Sequence, residues 1–195
     1  AIIDRHIIDS AQIIDFVDLN SNTTTDIGSG GGMPGIIVAI ILKNMKNNMN
    51  VHLYEKSYHK SHFLKEVSKK LNLNTKVFQK NIFEIKNLET GTIMSRAFKP
   101  MPVVLELVYE NFSKYKNLIF FMGKSGKKIF ENSKKNWELE YIEKKSLTSK
   151  DSFLINIKKI KKKKLNANYF NNKSKGWGWK NYYGDKSCSR FISNR

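Results

Sequence analysis

The segment that most constrains this chain is Asp26-Ile27-Gly28-Ser29-Gly30-Gly31-Gly32-Met33-Pro34-Gly35. It follows the β-branched run Thr23–Ile27 and precedes the apolar run Ile36–Leu42. That order reads as a short buried strand, a glycine turn and a helix packed on a sheet, with Pro34 where a first helical turn accepts it. Glycines let the backbone turn sharply and approach a ligand with no Cβ in the way. The start of the following helix then offers N–H groups to that ligand. Two familiar phosphate motifs do not fit. The third glycine of the dinucleotide fingerprint falls on Met33, and no Gly-Lys-Ser/Thr follows for a phosphate-binding loop.

The acids around the loop narrow the reading. Asp26 stands before the first glycine and Glu55 ends the next strand. This is the pattern of S-adenosylmethionine enzymes, with Glu55 accepting hydrogen bonds from both ribose hydroxyls. Gly28, Gly30 and Gly32 supply the close backbone, and Asp26 orders the loop rather than doing chemistry. The plainer alternative, a glycine turn that merely connects strand to helix, leaves the two acids unexplained.

The rest of the chain repeats the alternation. Apolar residues at Ile7, Ile8, Ala11, Ile14 and Val17 predict an amphipathic helix over Asp4–Phe16. Strands are expected at Val51–Tyr54, Thr75–Phe78, Thr92–Met94 and Leu118–Met122, with helices at Tyr58–Leu71 and Val103–Tyr115. Phe63, Leu64, Val67 and Leu71 should share one side of the Tyr58–Leu71 helix. Trp137–Ile142 and Phe153–Ile157 should close the sheet as an antiparallel pair. The fold class is therefore α/β: a Rossmann-like, doubly wound sheet of about seven strands, with its ligand beyond the carboxyl ends of the strands.

Charge limits the partners. Lys and Arg number 35 against 17 Asp and Glu, a net +18, which suits a polyanion. Only Arg5, Arg96, Arg190 and Arg195 are arginines, and the Lys, Asn and Ile abundance also fits an AT-rich genome. Without the run Lys158–Lys164 and residues 166–195, the remainder carries +7. The single Cys188 excludes an internal disulfide. The longest apolar run is Ile36–Leu42, where a membrane span needs about twenty residues. A reduced, cytoplasmic chain without a membrane partner is expected.

With these residues in hand, the chain resembles the RsmG (GidB) methyltransferases, which methylate N7 of one guanine in 16S ribosomal RNA. The resemblance runs from Arg5 to about Ile160. Its carriers are Arg5-His6-Ile7-Ile8-Asp9-Ser10, the loop Asp26–Gly35, Tyr54-Glu55-Lys56-Ser57 with Lys60, Phe63 and Leu64 following, and Ser95-Arg96-Ala97-Phe98. It implies a class I S-adenosylmethionine-dependent methyltransferase fold, an S-adenosyl-L-methionine cofactor, and 16S rRNA in the small ribosomal subunit as partner. It also implies cofactor contacts at Gly28, Met33, the Ile82-Phe83 pair and Arg96. Arg5, His6 and Lys124 become candidates to face RNA, and no metal is called for. A monomer is expected.

The chain departs from the family at three points. The leading helical segment is missing, so residues 1–20 read as its remnant, ahead of a methyltransferase domain over 21–160. Phe121-Met122-Gly123 stands where the family has Leu-Lys-Gly, with Lys124 one position late. Lys99 and Pro100 replace small residues.

Guanine N7 has a free lone pair at neutral pH, so its methylation needs alignment and electrostatics rather than a general base. Arg96, directly after the fourth strand, would hold the methionine carboxylate or the guanine O6; the alternative is an ordinary surface salt bridge. His6 either lies at the pocket rim or caps and packs its helix. His52, His59 and His62 lack metal-ligand partners, and Phe112, Phe120 and Phe121 read as core.

Residues 161–195 form a basic tail, expected to be disordered. Back-translated with permitted codons and read one base later, Asn166–Cys188 yields a string that starts with Met and contains Gly-Gly-Val-Gly-Lys-Thr. That string looks like the opening of a ParA-type ATPase, so the tail is expected to overlap a downstream gene out of frame. Two rival functions remain at this stage: a methyltransferase of the same fold with another RNA or protein substrate, and a basic RNA-binding module without activity.

Overall fold

A computed structural model describes residues 2–163. The expected disordered tail and its overlapping frame lie outside the described residues, apart from Lys161–Lys163.

Seven strands form the main sheet: β1 (Thr23–Ile27), β2 (Asn50–Tyr54), β3 (Thr75–Phe78), β4 (Thr92–Ser95), β5 (Asn117–Met122), β6 (Trp137–Lys145) and β7 (Phe153–Lys162). Their order is β3-β2-β1-β4-β5-β7-β6. Strands β1 to β5 pair in parallel, while β7 runs antiparallel to both β5 and β6. The β-branched Thr23–Ile27 run takes the middle of the sheet because both of its faces are covered, as a parallel strand requires.

Five helices accompany the sheet: α1 (Ile2–Ala11), α2 (Gly35–Asn44), α3 (Tyr58–Lys70), α4 (Met101–Asn111) and α5 (Gly126–Ser133). One apolar layer contains Ile93, Leu105, Val108, Leu118 and Ile155; the other contains Val38, Leu42, Leu53, Leu64 and Ile119. Among the described residues, no helix is long and apolar enough to cross a membrane.

Several boundaries differ from expectation. The first helix stops at Ala11, and Ile14–Phe16 forms a separate 3-10 turn. Ile7 and Ile8, expected to be core, are 39% and 46% exposed. Val17 is buried as expected, and Ser10, Gln12 and Ile13 are buried beside it, with polar partners holding Ser10 and Gln12. On α3, Leu64 is fully buried while Phe63 is 51% exposed. Helical geometry puts Ser61, Leu64 and Ser68 on the inner face and rotates Phe63 away from it. Helix α4 ends at Asn111 because Phe112–Lys114 peels off to pair in parallel with Leu88–Glu89. Pro34 is the N-cap of α2 rather than its first helical residue. The antiparallel pair is longer than the sequence pattern suggested, and β7 takes in Lys161 and Lys162. Helix α5, which buries Gly126, Phe130 and Ser133, was not among the expected elements.

Candidate functional site

The glycine loop leaves β1 at the carboxyl edge of the sheet. Gly28, Gly30 and Gly32 adopt φ of +71°, +54° and +93°, the left-handed region that glycine enters freely. At Gly28 space also matters: a Cβ would lie 2.0 Å from the Phe98 ring. The loop is held from below by Asp26, which is 1% exposed and accepts the Gly35 N–H through Oδ2 at 3.0 Å. Burial pushes the Asp26 carboxyl up to about 7, against the opposing bond from Gly35.

Glu55 meets the same loop from the end of β2. Its Oε2 accepts the Gly30 N–H at 3.0 Å, and its Oε1 accepts the Ser57 N–H at 2.8 Å. The amides of Gly28 and Ser29 are spent on the Tyr54 carbonyl, and that of Gly32 on Ser29. Gly35 donates to Asp26 and Ile36 to Gly32. The expected free N–H groups at the helix start are therefore largely consumed. Among the described residues, Gly31 and Met33 are the loop amides without an internal partner.

A cavity of about 860 Å³ opens above this loop. Of the residues singled out from the sequence, Gly28, Gly30, Met33, Glu55, Ile82, Phe83, Arg96 and His6 line it. Gly32 does not; it sits behind the loop, where a Cβ would meet Ile36 at 2.6 Å and Leu64 at 3.0 Å. Lys124 does not either, lying in the exposed turn before α5. The Arg5 side chain lies outside the described residues. Asn81, Phe98 and the lysines Lys56, Lys60, Lys80 and Lys99 also line the cavity; the sequence marked Lys56, Lys60, Phe98 and Lys99 only in comparison with the family, and Asn81 and Lys80 not at all.

Arg96 is more constrained than a residue waiting at the pocket mouth. Its Nη2 donates to His6 Nδ1 at 2.7 Å, and its Nη1 donates to Ser10 Oγ at 3.1 Å. Asp9 Oδ2 lies 3.6 Å away, and the guanidinium sits 5.4 Å from the centre of the Phe121 ring. With Nδ1 accepting, His6 carries its proton on Nε2. His6 thus lines the cavity and anchors α1 at once. Asp9 also accepts from Gln12, Ser146 and Thr148, which ties α1 to the turn between β6 and β7. The Arg-His-Ile-Ile-Asp-Ser and Ser-Arg-Ala-Phe segments, some 90 positions apart, form one contact.

One wall of the cavity is apolar. Ile82 is buried, and the Phe83 and Phe98 rings lie 6.0 Å apart at 35°. Asn111 braces this wall. Its buried Nδ2 donates to the carbonyls of Ile82, Phe83 and Ile85 at 3.3, 3.1 and 2.6 Å. Among the described residues, no group of three or more His, Cys, Asp or Glu is placed to hold a metal.

These features suit S-adenosylmethionine. Each Glu55 oxygen accepts one amide and keeps a lone pair toward the cavity for the ribose hydroxyls. The Ile82, Phe83 and Phe98 wall matches a flat base, and Arg96 with the Gly31 amide can face a carboxylate.

The strand order, the antiparallel closing strand and an acid at the end of β2 facing a glycine loop define a class I S-adenosylmethionine-dependent methyltransferase fold. Solved structures agree. A SAM-dependent methyltransferase from Aquifex aeolicus superposes with a TM-score of 0.57 at 13% identity, over 78% of this chain and 90% of that one. TrmK of M. capricolum, solved with S-adenosyl-homocysteine, gives 0.53 at 16% identity, over 76% and 66%. The family model GidB, rRNA small subunit methyltransferase G, matches residues 1–157, and the chain belongs to that family. Ribosomal RNA small subunit methyltransferase G of Pelagibacter ubique is 66% identical over 160 residues, 82% of this chain and 75% of that protein. The Bartonella tribocorum protein of the same name is 30% identical over 159 residues, 80% and 74%.

Proposed function

We propose that this chain transfers the methyl group of S-adenosylmethionine to N7 of one guanine in the 16S RNA of the small ribosomal subunit. The observation that carries the reading is Glu55, fixed by the loop it faces and aimed into a cavity that joins an apolar wall to a cationic rim. Family membership supplies the ribosomal RNA, and the resemblance to the guanine-N7 enzymes supplies the acceptor atom.

When bound, the cofactor supplies a methyl group already activated on a sulfonium. Glu55 holds and orients the ribose end, while Ile82, Phe83 and Phe98 exclude water around the base. Gly28, Gly30 and Gly31 let the backbone close on the reacting end. Gly32 acts behind the loop by allowing α2 and α3 to pack against it. Arg96 presents fixed positive charge whose geometry is set by α1, so it reorganises little during reaction. Guanine N7 attacks with its own lone pair, and no residue has to take a proton. His6, with Nδ1 engaged by Arg96, is a rim contact rather than a base. Arg5 and Lys124 are assigned to RNA, Lys124 from outside the cofactor cavity. We place the protein in the cytoplasm with its substrate, acting as a monomer.

The test is transfer of labelled methyl to small subunits from a strain lacking this modification, by the full chain and by one ending at Leu165. Incorporation at a guanine N7 is expected from both. Cofactor binding without incorporation would overturn the substrate, and RNA affinity without cofactor binding would favour an inactive RNA-binding module.

A further inference from the structure

Beside the cavity mouth lies a surface that cofactor binding does not use. Lys56 and Lys60, at the start of α3, line the rim from one side, and Lys80 and Lys99 line it elsewhere. Tyr58, 61% exposed, lies between the first two in sequence and leaves the first turn of α3 on a different flank from Lys60. Its ring lies nearly parallel to His62, at 6.1 Å and 13°. An aromatic side chain left this exposed gains little from folding, yet here two flat rings are held on one face of a helix. Among the described side chains, none of the four rim lysines has a hydrogen bond or ion pair. Lysines at the far edge of the sheet do: Lys161 pairs with Glu138 and Lys162 with Glu106. Helix α3 itself carries four lysines and a single acid, Glu66. Among the described residues, the only acid lining the cavity is Glu55, which already accepts two amides.

We infer that the exposed face of α3 at Tyr58 and His62, with the rim lysines, is the docking surface for the single-stranded RNA that flanks the acceptor nucleotide. The inference rests on the reading of this site as an RNA methyltransferase centre. Flat exposed rings accept any base face, and unpaired ammonium groups take the phosphates between bases, which is how unpaired RNA is gripped. A protein partner would need acids or an apolar patch of its own shape, whereas this face offers isolated rings amid unneutralised positive charge. The position also suits the reaction: a nucleotide turned into the cavity leaves its neighbours at the rim.

The experiment compares the full-length protein with Tyr58→Ala, Tyr58→Phe, the pair Lys56→Gln with Lys60→Gln, and Lys127→Gln with Lys128→Gln on α5 as a charge control. Binding of unmodified 16S RNA is measured by anisotropy over a salt series. Methyl transfer to unmodified small subunits is measured alongside. Tyr58→Ala should weaken RNA binding and raise the KM for subunits about tenfold, with the KM for S-adenosylmethionine and the melting temperature unchanged. Tyr58→Phe should stay within about twofold. The Lys56/Lys60 pair should lower the slope of log K against log salt by about 1.4, at about 0.7 per phosphate contact, and the α5 pair should leave it alone. Unchanged RNA affinity in Tyr58→Ala would overturn the inference. So would a defect on subunits that is absent on naked RNA, which would mean a ribosomal protein occupies this face. If the unaltered chain methylates nothing, the proposed function fails, and the binding series still decides the docking surface.

Discussion

Replacing Asp26 by Asn should remove a pH dependence that the wild-type fold carries. Asp26 is buried beneath the glycine loop, and its carboxyl is raised from 3.8 to about 7. The cause is loss of water around a charge, only partly offset by the Gly35 N–H. A shift of about three units corresponds to at most about 4 kcal/mol, at about 1.4 kcal/mol per unit. The sign follows from proton counting. Between about pH 4 and pH 7 the folded chain keeps this proton and the unfolded chain releases it, so the contribution falls as pH rises and levels off above about 7. Asn keeps an acceptor for Gly35 and has no charge to desolvate. Urea unfolding of both proteins at half-unit steps from pH 4 to pH 8.5 should show the wild type losing stability relative to Asp26→Asn, by up to about 1.4 kcal/mol per unit. The gap should then become constant above pH 7.5. A gap that stays constant from pH 4.5 to pH 8.5 would mean Asp26 is ionised throughout in the folded chain, and the burial argument would be wrong.

Gly35→Ala would place a Cβ 2.4 Å from Leu53 and 2.7 Å from the Asp26 carboxylate, so thermal melts should show a loss of about 1–3 kcal/mol although alanine suits helices. Asn111→Leu would leave the carbonyls of Ile82, Phe83 and Ile85 without their shared donor. The expected loss is about 1–3 kcal/mol, and steady-state kinetics should show KM for S-adenosylmethionine rising more than KM for RNA. Arg96→Ala should free the first helix: hydrogen exchange over residues 6–12 should quicken, while amides of β1 and β5 keep their protection. Methyl transfer by that variant should fall by about tenfold or more, since the cavity loses its fixed positive charge.

Much of the scaffold is local information. The run Thr23–Ile27, the glycines after it and the apolar stretch behind them each specify a conformation within a few residues, which is why the strand–turn–helix unit was legible. Gly28 is the clearest case, since its positive φ and the Phe98 ring both demand the absence of a side chain. The alternation of strands and helices gave the sheet, and Glu55 was found because the end of a strand is a position that sequence can count to. Asn111 left no comparable trace. It lies on an apolar helix and acts on carbonyls 26 to 29 positions away.

The order of elements and the places where backbone must approach a ligand are encoded locally, because propensity and steric allowance act over short spans. Which side chains share a space depends on how distant elements pack. Arg96 could be placed after β4 from the sequence, but its engagement by His6, Asp9 and Ser10 depends on α1 folding back over the sheet edge. Phe63 looked like core and is exposed, because the helix turns that position away from the apolar layer. Lys56, Lys60, Lys80 and Lys99 are unremarkable in a chain with 31 lysines. They become a rim because the order β3-β2-β1-β4 brings the ends of all four strands around one cavity.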